Sequence, residues 1–232
     1  MTDEYLGDLE KTSIIAELFK VDKNKRDDNW ISTFLENVAD ASFRCGDPQL
    51  IKGPDGFSYF NLLLPEPNQD FQCYVIKHIA PWLTENGIGV VFDATQNEAE
   101  WIFSSGDILD YVLNGKFSAE VEPSTVENGS SEFVEEKLEV LVGQPSEKYL
   151  PQKTRALLKA FLEAQGYQEP KILIMYRKNE KAISQELVFD FEEIKDPEKI
   201  NRLIFWITWF LPRTYTITGL QSSDFKDSFR SL

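Results

Sequence analysis

The sequence is poor in the residues that carry most metal and nucleophilic chemistry. Among its 232 residues it has one histidine, His78, and two cysteines, Cys45 and Cys73. A catalytic triad or dyad would have to use His78 as its base. A structural zinc site takes four ligands at short spacings, which these three residues cannot supply. We therefore predict no metal, no cofactor and no catalytic residue, and we expect both cysteines to be unpaired thiols.

Long hydrophobic runs are also missing. The richest one, residues 203–211, covers about half of the roughly 20 residues that a membrane-spanning helix needs. The first residues, M-T-D-E-Y-L-G-D, are acidic and unlike a secretion signal. Both features predict a cytoplasmic protein that does not enter a membrane.

Basic residues are few. Lys and Arg number 24 against 39 Asp and Glu, which gives a formal net charge of −15. Such a surface repels nucleic acids and anionic lipids. The one basic stretch, K-V-D-K-N-K-R-D-D from Lys20, is interrupted by Asp22 and closed by two further aspartates. We predict no nucleic-acid partner and expect either a protein partner or a homo-oligomer.

Apolar and aromatic residues, by contrast, are plentiful and regularly spaced. The sequence has 17 Phe, 8 Tyr and 5 Trp, enough for a packed core. Helical spacing over residues 14–19 and 30–38 predicts an N-terminal helical pair. Further on, the pattern predicts strands over 57–64, 89–93, 99–104, 138–142, 172–176, 186–191 and 215–220, and helices over 71–85, 107–113, 152–164 and 196–211.

The order strand–helix–strand–strand–helix therefore occurs twice. We predict an α+β fold of two such units with mixed or antiparallel sheets, preceded by the helical pair. Residues 1–115 form the first part, 116–136 an acidic linker or long loop with one Lys and six Glu, and 137–232 the second part. Gly87 and Gly166 occupy matching positions, each after the first helix of its unit. Their separation, the glycine spacing, indicates either an internal duplication or a coincidence of element order.

A possible phosphate loop lies at V-L-V-G-Q-P-S-E-K-Y-L-P, residues 140–151. Phosphate loops combine several glycines with a lysine that follows directly, as in G-x-x-x-x-G-K-[ST]. This stretch has a single glycine, Gly143, while Ser146 can cap backbone groups and Pro151 suits a first helical turn. We interpret it as a connector between a strand and a helix.

The same stretch, followed by K-I-L-I-M-Y and E-L-V-F-D-F, resembles the C-terminal domain of the SseB-like (enhanced serine sensitivity) proteins. In that family a strand ends in Gly-x-Pro, a proline opens a helix, and two strands follow. The resemblance covers about residues 138–192. It implies an α/β cytosolic domain with an interaction-based role, and it assigns no site residue.

Carboxylates offer the remaining chemistry. The stretch D-A-T-Q-N-E-A-E, residues 93–100, could gather four oxygen ligands around a divalent cation, those of Asp93, Asn97, Glu98 and Glu100. It lacks the ligand spacing and the central glycine of a calcium loop. We interpret it as a solvated hairpin turn. The acids that close the strand over 186–191 have the same interpretation.

The helix L-I-F-W-I-T-W-F-L, residues 203–211, is apolar on two sides. One stripe is expected to face a sheet. The opposite side is expected either to be buried between the two halves of the chain or to contact another molecule. It carries the interaction residues that we predict, which are Arg202, Phe205, Trp206 and Trp209.

These observations favour a non-enzymatic protein-interaction or adaptor protein of unknown process. Two alternatives stay open. One is an immunity-type inhibitor whose acidic face covers a basic toxin. The other is a carboxylate-dependent enzyme with its site between the two units.

Overall fold

The computed structural model describes residues 6–94, 98–118, 139–178, 183–192, 194–220 and 223–232. The chain divides into two compact units, residues 1–120 and 121–232. Most of the predicted acidic linker, residues 119–136, lies outside the described residues. Within the described residues, six α-helices and two mixed sheets confirm the predicted α+β fold and its N-terminal helical pair.

The first unit holds both N-terminal helices and a four-stranded sheet. Its elements are α1 (Leu9–Phe19), α2 (Asp28–Asn37), β1 (Arg44–Lys52), β2 (Ser58–Leu63), α3 (Ile76–Glu85), β3 (Gly89–Phe92), β4 (Trp101–Phe103) and α4 (Ser105–Asn114). The strand order is β1-β2-β3-β4. β2 and β3 are parallel and are joined by α3, whereas the two outer strands pair antiparallel to their neighbours.

Side-chain caps explain where these helices begin. The carboxylate of Asp8 accepts hydrogen bonds from backbone N–H groups in the first turn of α1, and Asp27 does the same for α2. A capping box of Ser104 and Asp107 opens α4, and Gly115 ends it in the left-handed conformation at φ 73°. Such caps satisfy the backbone groups that helix ends leave unpaired.

An aromatic cluster forms the core of the first unit. Phe34 on α2 has no exposed surface. Its ring centroid lies 5.0 Å from that of Trp101 and 5.8 Å from that of Phe92. Three more rings surround it within about the same distance, those of Phe19, Trp30 and Phe103. The cluster therefore fastens the N-terminal helical pair to the sheet.

The second unit has its own sheet. Its elements are β5 (Glu139–Gly143), α5 (Gln152–Ala164), β6 (Lys171–Lys178), β7 (Ile183–Asp190), α6 (Pro197–Thr208), β8 (Thr216–Leu220) and β9 (Arg230–Ser231). The main strand order is β5-β6-β7-β8, and β9 pairs with the start of β6. Among these described strands, β7 and β8 are the parallel pair, and α6 connects them.

Paired residues of the two sheets correspond at one constant separation along the chain, except past the irregular stretch of β1. Cys45 pairs with Leu62 in the first sheet, and Ile172 pairs with Phe189 in the second. The separation from Cys45 to Ile172, the sheet spacing, equals that from Leu62 to Phe189. Each of the four parallel pairs between β2 and β3 has its counterpart between β7 and β8 at the sheet spacing. The sequence F-L-E recurs at this spacing too, in α2 and in α5, so these elements correspond residue by residue.

This correspondence differs from the one that the glycine spacing suggests. The glycine spacing equates β2 with β5, yet β2 is parallel to β3 whereas β5 is antiparallel to β6. The strand pairing instead equates the hairpin β1–β2 with the hairpin β6–β7. Element order alone repeats at both spacings, but only the sheet spacing also preserves strand direction and register.

One helix begins later than its apolar spacing predicts. The pattern extends back to Phe71, whereas α3 starts at Ile76. The reason is that Tyr74 is held in extended backbone, where its N–H and C=O groups form two hydrogen bonds with Phe43. A residue whose backbone pairs with a strand cannot join the helix, so the long-range contact overrides the local pattern.

Candidate interaction surfaces

The four predicted interaction residues on α6 do not form one surface. Phe205 exposes 67% of its area and Arg202 is also exposed. Trp206 is half-buried, with its ring 6.0 Å from Phe161 of α5 in an edge-to-face arrangement. Trp209 is only 9% exposed and its ring lies 5.0 Å from that of Phe210. The outward-facing part of the predicted site is therefore Phe205 with Arg202.

The opposite side of α6 behaves as its spacing predicts. Leu203, Ile204 and Ile207 are all buried, so the helix uses this stripe for the core of its unit. The aromatic side is shared between packing on α5 and contact with solvent. Among the large apolar side chains that the structure describes on α6, Phe205 is the exposed one.

Ion pairs tie the described end of the predicted turn over residues 93–100 to the connection between α1 and α2, whereas residues 95–97 lie outside the described residues. Glu98 accepts from Lys23 at 2.7 Å, and Glu100 pairs with Arg26, whose guanidinium also stacks on Trp30. Burial raises the pKa of Asp93. Within the ranges that the structure describes, no group of three or more His, Cys, Asp or Glu side chains could hold a metal ion. The carboxylates of this turn have structural partners instead.

The loop after β5 is also held by protein groups. The guanidinium of Arg155 donates to the carbonyl oxygens of Leu150 and Pro145, and the carboxylate of Glu147 accepts from the backbone N–H of Gln152 at 2.7 Å. The backbone N–H of Gln152, one of the groups that a bound phosphate would need, therefore already has an anionic partner. The geometry supports the interpretation of this stretch as a connector.

A cluster of charged residues joins α1, the turn after α2, and α3. The carboxylate of Asp40 accepts from Lys11 at 2.6 Å and from Lys77 at 3.2 Å. A shallow groove beside it is lined by these three side chains and by His78, which is exposed. The hydrogen bond from Lys11 lowers the pKa of Asp40, against the opposing effect of partial burial. The cluster is a bridge between helices.

This bridge leads to a prediction for pH-dependent stability. Because the pKa of Asp40 is lower in the folded protein than its usual value near 3.9, its stabilising contribution is present near pH 7 and is lost as the pH falls through the folded pKa. Asp40→Asn should reduce the free energy of unfolding by about 1 kcal/mol at pH 7. Thermal melts should show that the difference from the wild type shrinks at about pH 3.

Asp22→Asn provides a matched control for that measurement. Asp22 pairs with Lys25 at 2.7 Å, but both side chains are more than two-thirds exposed. An exposed pair of this kind contributes little. Equal losses for the two variants, or a loss for Asp40→Asn that is the same at both pH values, would contradict the role of Asp40.

A further surface lies at the outer edge of the first sheet, where sequence reasoning did not place one. β1 is an edge strand, and no strand among the described residues pairs with its outer side over residues 50–52. Leu50 and Trp82 are each 46% exposed. Both contact Phe60, since Leu50 is its partner across the sheet and the rings of Trp82 and Phe60 lie 6.0 Å apart. The edge thus combines unpaired backbone with apolar side chains.

The remaining sequence predictions can be placed on this structure. Both cysteines are free thiols and half-buried, as expected. Of the helices in the described ranges, none has the length and apolar character needed to cross a membrane. Comparison with protein-family models, with curated proteins and with solved structures finds no match to this chain. The resemblance to the SseB-like domain stays a prediction.

Proposed function

We propose that this chain is a non-enzymatic protein-interaction or adaptor protein that binds through the outward side of α6. The observation that carries the proposal is the exposure of Phe205. A phenylalanine that is 67% exposed in the middle of a helix with a buried apolar stripe adds nothing to the core. Its ring is available to fill a pocket on another polypeptide, and Arg202 one turn earlier can pair with a carboxylate beside it.

The surroundings of Phe205 suit this role. The ring of Trp206, next to Phe205 in the chain, packs edge-on against Phe161 of α5. This contact fixes α6 against α5 beside the exposed ring. Aromatic and arginine side chains on a rigid element are the types that dominate binding energy at protein interfaces. The partner is either a different protein or a second copy of the chain, and the experiment below separates these two cases.

The test compares three forms of the affinity-tagged protein: the wild type, Phe205→Ser, and the control Val112→Ser. Val112 on α4 in the first unit is 42% exposed, so its replacement also removes an exposed apolar side chain. Proteins retained from the native cell extract are quantified by mass spectrometry, and the mass of each purified form is measured by light scattering.

We expect at least one protein of the extract to be retained equally by the wild type and by Val112→Ser, and not to be retained by Phe205→Ser. If the partner is a second copy, the wild type and the control should instead be dimeric and Phe205→Ser monomeric. Retention that is the same for all three forms, together with three monomeric masses, would overturn the proposal.

A further inference from the structure

We propose that the outer edge of β1 binds an extended segment of a partner protein, which adds to the first sheet as an antiparallel strand with basic residues at its ends. This site is separate from the outward side of α6. It rests on the correspondence between the two sheets, on the backbone groups of β1 and on the charges at its ends.

The second unit shows what occupies such an edge. Residues of β6 that correspond to the end of β1 are Ile174, Met175 and Tyr176, by their cross-strand partners in β7. There, β5 covers the outer edge in the antiparallel sense and places Gly143, Val142 and Leu141 opposite them. The equivalent position in the first unit, outside Leu50, Ile51 and Lys52, has no strand among the residues that the structure describes.

The backbone of β1 offers hydrogen bonds at this edge. The N–H of Gly53 donates to the carbonyl of Phe57 at 2.8 Å, which marks that pair as hydrogen-bonded. In an antiparallel ladder the bonded and non-bonded pairs alternate. Ile51 therefore bonds inward to β2, whereas Leu50 and Lys52 direct their N–H and C=O groups outward. An added strand would pair with these two residues.

Apolar side chains also mark this edge. At the β1 edge, Leu50 and Trp82 flank Phe60 and can receive an apolar side chain from the added strand.

The charges at the edge define the chemistry of the partner. Asp47 and Asp55 precede and follow the open residues and are exposed, while Lys52 between them adds one positive charge. The whole chain has a net charge of −15. A segment with Lys or Arg on either side of its apolar centre would be attracted to this edge, while an acidic segment would be repelled.

The test uses a fluorescein-labelled peptide in which lysine pairs flank Val-Leu-Val-Gly, the sequence of β5 after Glu139. In the register of β5, the peptide amides of Leu and Gly face β1, and the amides of the two Val face away. One control peptide is N-methylated at Leu and Gly, and a matched one at both Val. Binding is followed by fluorescence anisotropy, and the exchange of backbone amide protons by NMR.

We expect the unmodified peptide to slow exchange at the Leu50 and Lys52 amides by about tenfold or more. N-methylation at Leu and Gly should weaken binding by at least about tenfold, whereas N-methylation at Val should leave it unchanged. In the protein, Leu50→Lys should weaken binding. Ile102→Lys, at a 49% exposed position on the opposite edge strand, should not.

Three results would overturn the proposal. The first is no binding at peptide concentrations up to about 1 mM, or equal loss with both N-methylated peptides. The second is protection of the Leu50 and Lys52 amides in the free protein that falls on dilution, which would make a second copy the occupant. The third is protection in the free protein that is independent of concentration, which would assign the edge to another segment of the same chain.

Discussion

Phe34→Ala should lower the free energy of unfolding by about 3–5 kcal/mol, the usual range for removing a buried aromatic ring. Phe34 has no exposed surface and five aromatic rings surround it, at centroid distances of 5.0–6.0 Å. The alanine leaves a cavity that these large rings cannot fill without moving. Urea denaturation followed by circular dichroism measures the loss.

Phe71→Ala is the control for this prediction because it makes the same substitution in the same unit. Phe71 lies outside the helices and strands and is 38% exposed, so we expect a loss of under about 1 kcal/mol. A similar loss for the two variants would show that the cluster around Phe34 does not fasten the helical pair to the sheet.

Trp209→Ala should also cost about 3–5 kcal/mol, and it should lower the melting temperature by the same amount at every protein concentration. Trp209 follows the last turn of α6 and is 9% exposed, packed against Phe210. Because this burial occurs within one chain, association does not contribute to it. Thermal melts over a hundredfold range of protein concentration, about 1–100 µM, provide the measurement.

Phe205→Ala separates the two sides of α6. Phe205 is on the same helix and is 67% exposed, so its replacement should change stability by under about 0.5 kcal/mol. If Trp209→Ala kept the stability of the wild type, or if its effect on the melting temperature depended on concentration, then Trp209 would belong to a contact between chains.

Local signals in the sequence predicted much of the fold. The helix over residues 152–164 is found with both predicted ends, because an apolar face, a preceding proline and a following glycine all mark it. Asp27 caps the start of α2 and Gly115 ends α4, roles that are typical of their residue types. Signals of this kind depend on residues within one or two turns, so they can be read without the tertiary structure.

Strand partners and edges depend on contacts between distant residues, and the sequence predicted them less well. Gly46 and Pro48 break the apolar pattern of β1, so a strand that reaches Lys52 was not predicted. The structure accommodates these residues in an irregular stretch where five steps along β1 oppose two along β2. The open edge outside Leu50 could not be predicted, because it follows from strand order.

The sequence predicted only part of the arrangement of the aromatic residues on α6. Helical spacing identified the two apolar sides, but it could not tell which aromatic residues would face α5 and which would face solvent. That division depends on the position of Phe161, which lies on another helix and is distant in sequence.

The sequence suggested an internal repeat, but with a different repeat length from the one that the strand pairing indicates. We propose an internal duplication whose repeat length is the sheet spacing, the separation from Cys45 to Ile172. The sequence alone suggested the shorter glycine spacing, because β5 and α5 resemble β2 and α3 in order and not in pairing. Strand direction is a property of the folded sheet, so element order could not distinguish the two spacings.

The most direct test of binding through α6 is the dissociation constant for the partner retained through Phe205. The purified partner, or the chain itself if it dimerises, is titrated against the wild type, Phe205→Ser and Val112→Ser by calorimetry. We predict that Phe205→Ser binds at least about tenfold more weakly, as expected for loss of a central aromatic side chain, while Val112→Ser binds like the wild type. Equal dissociation constants for all three forms would contradict the proposed function.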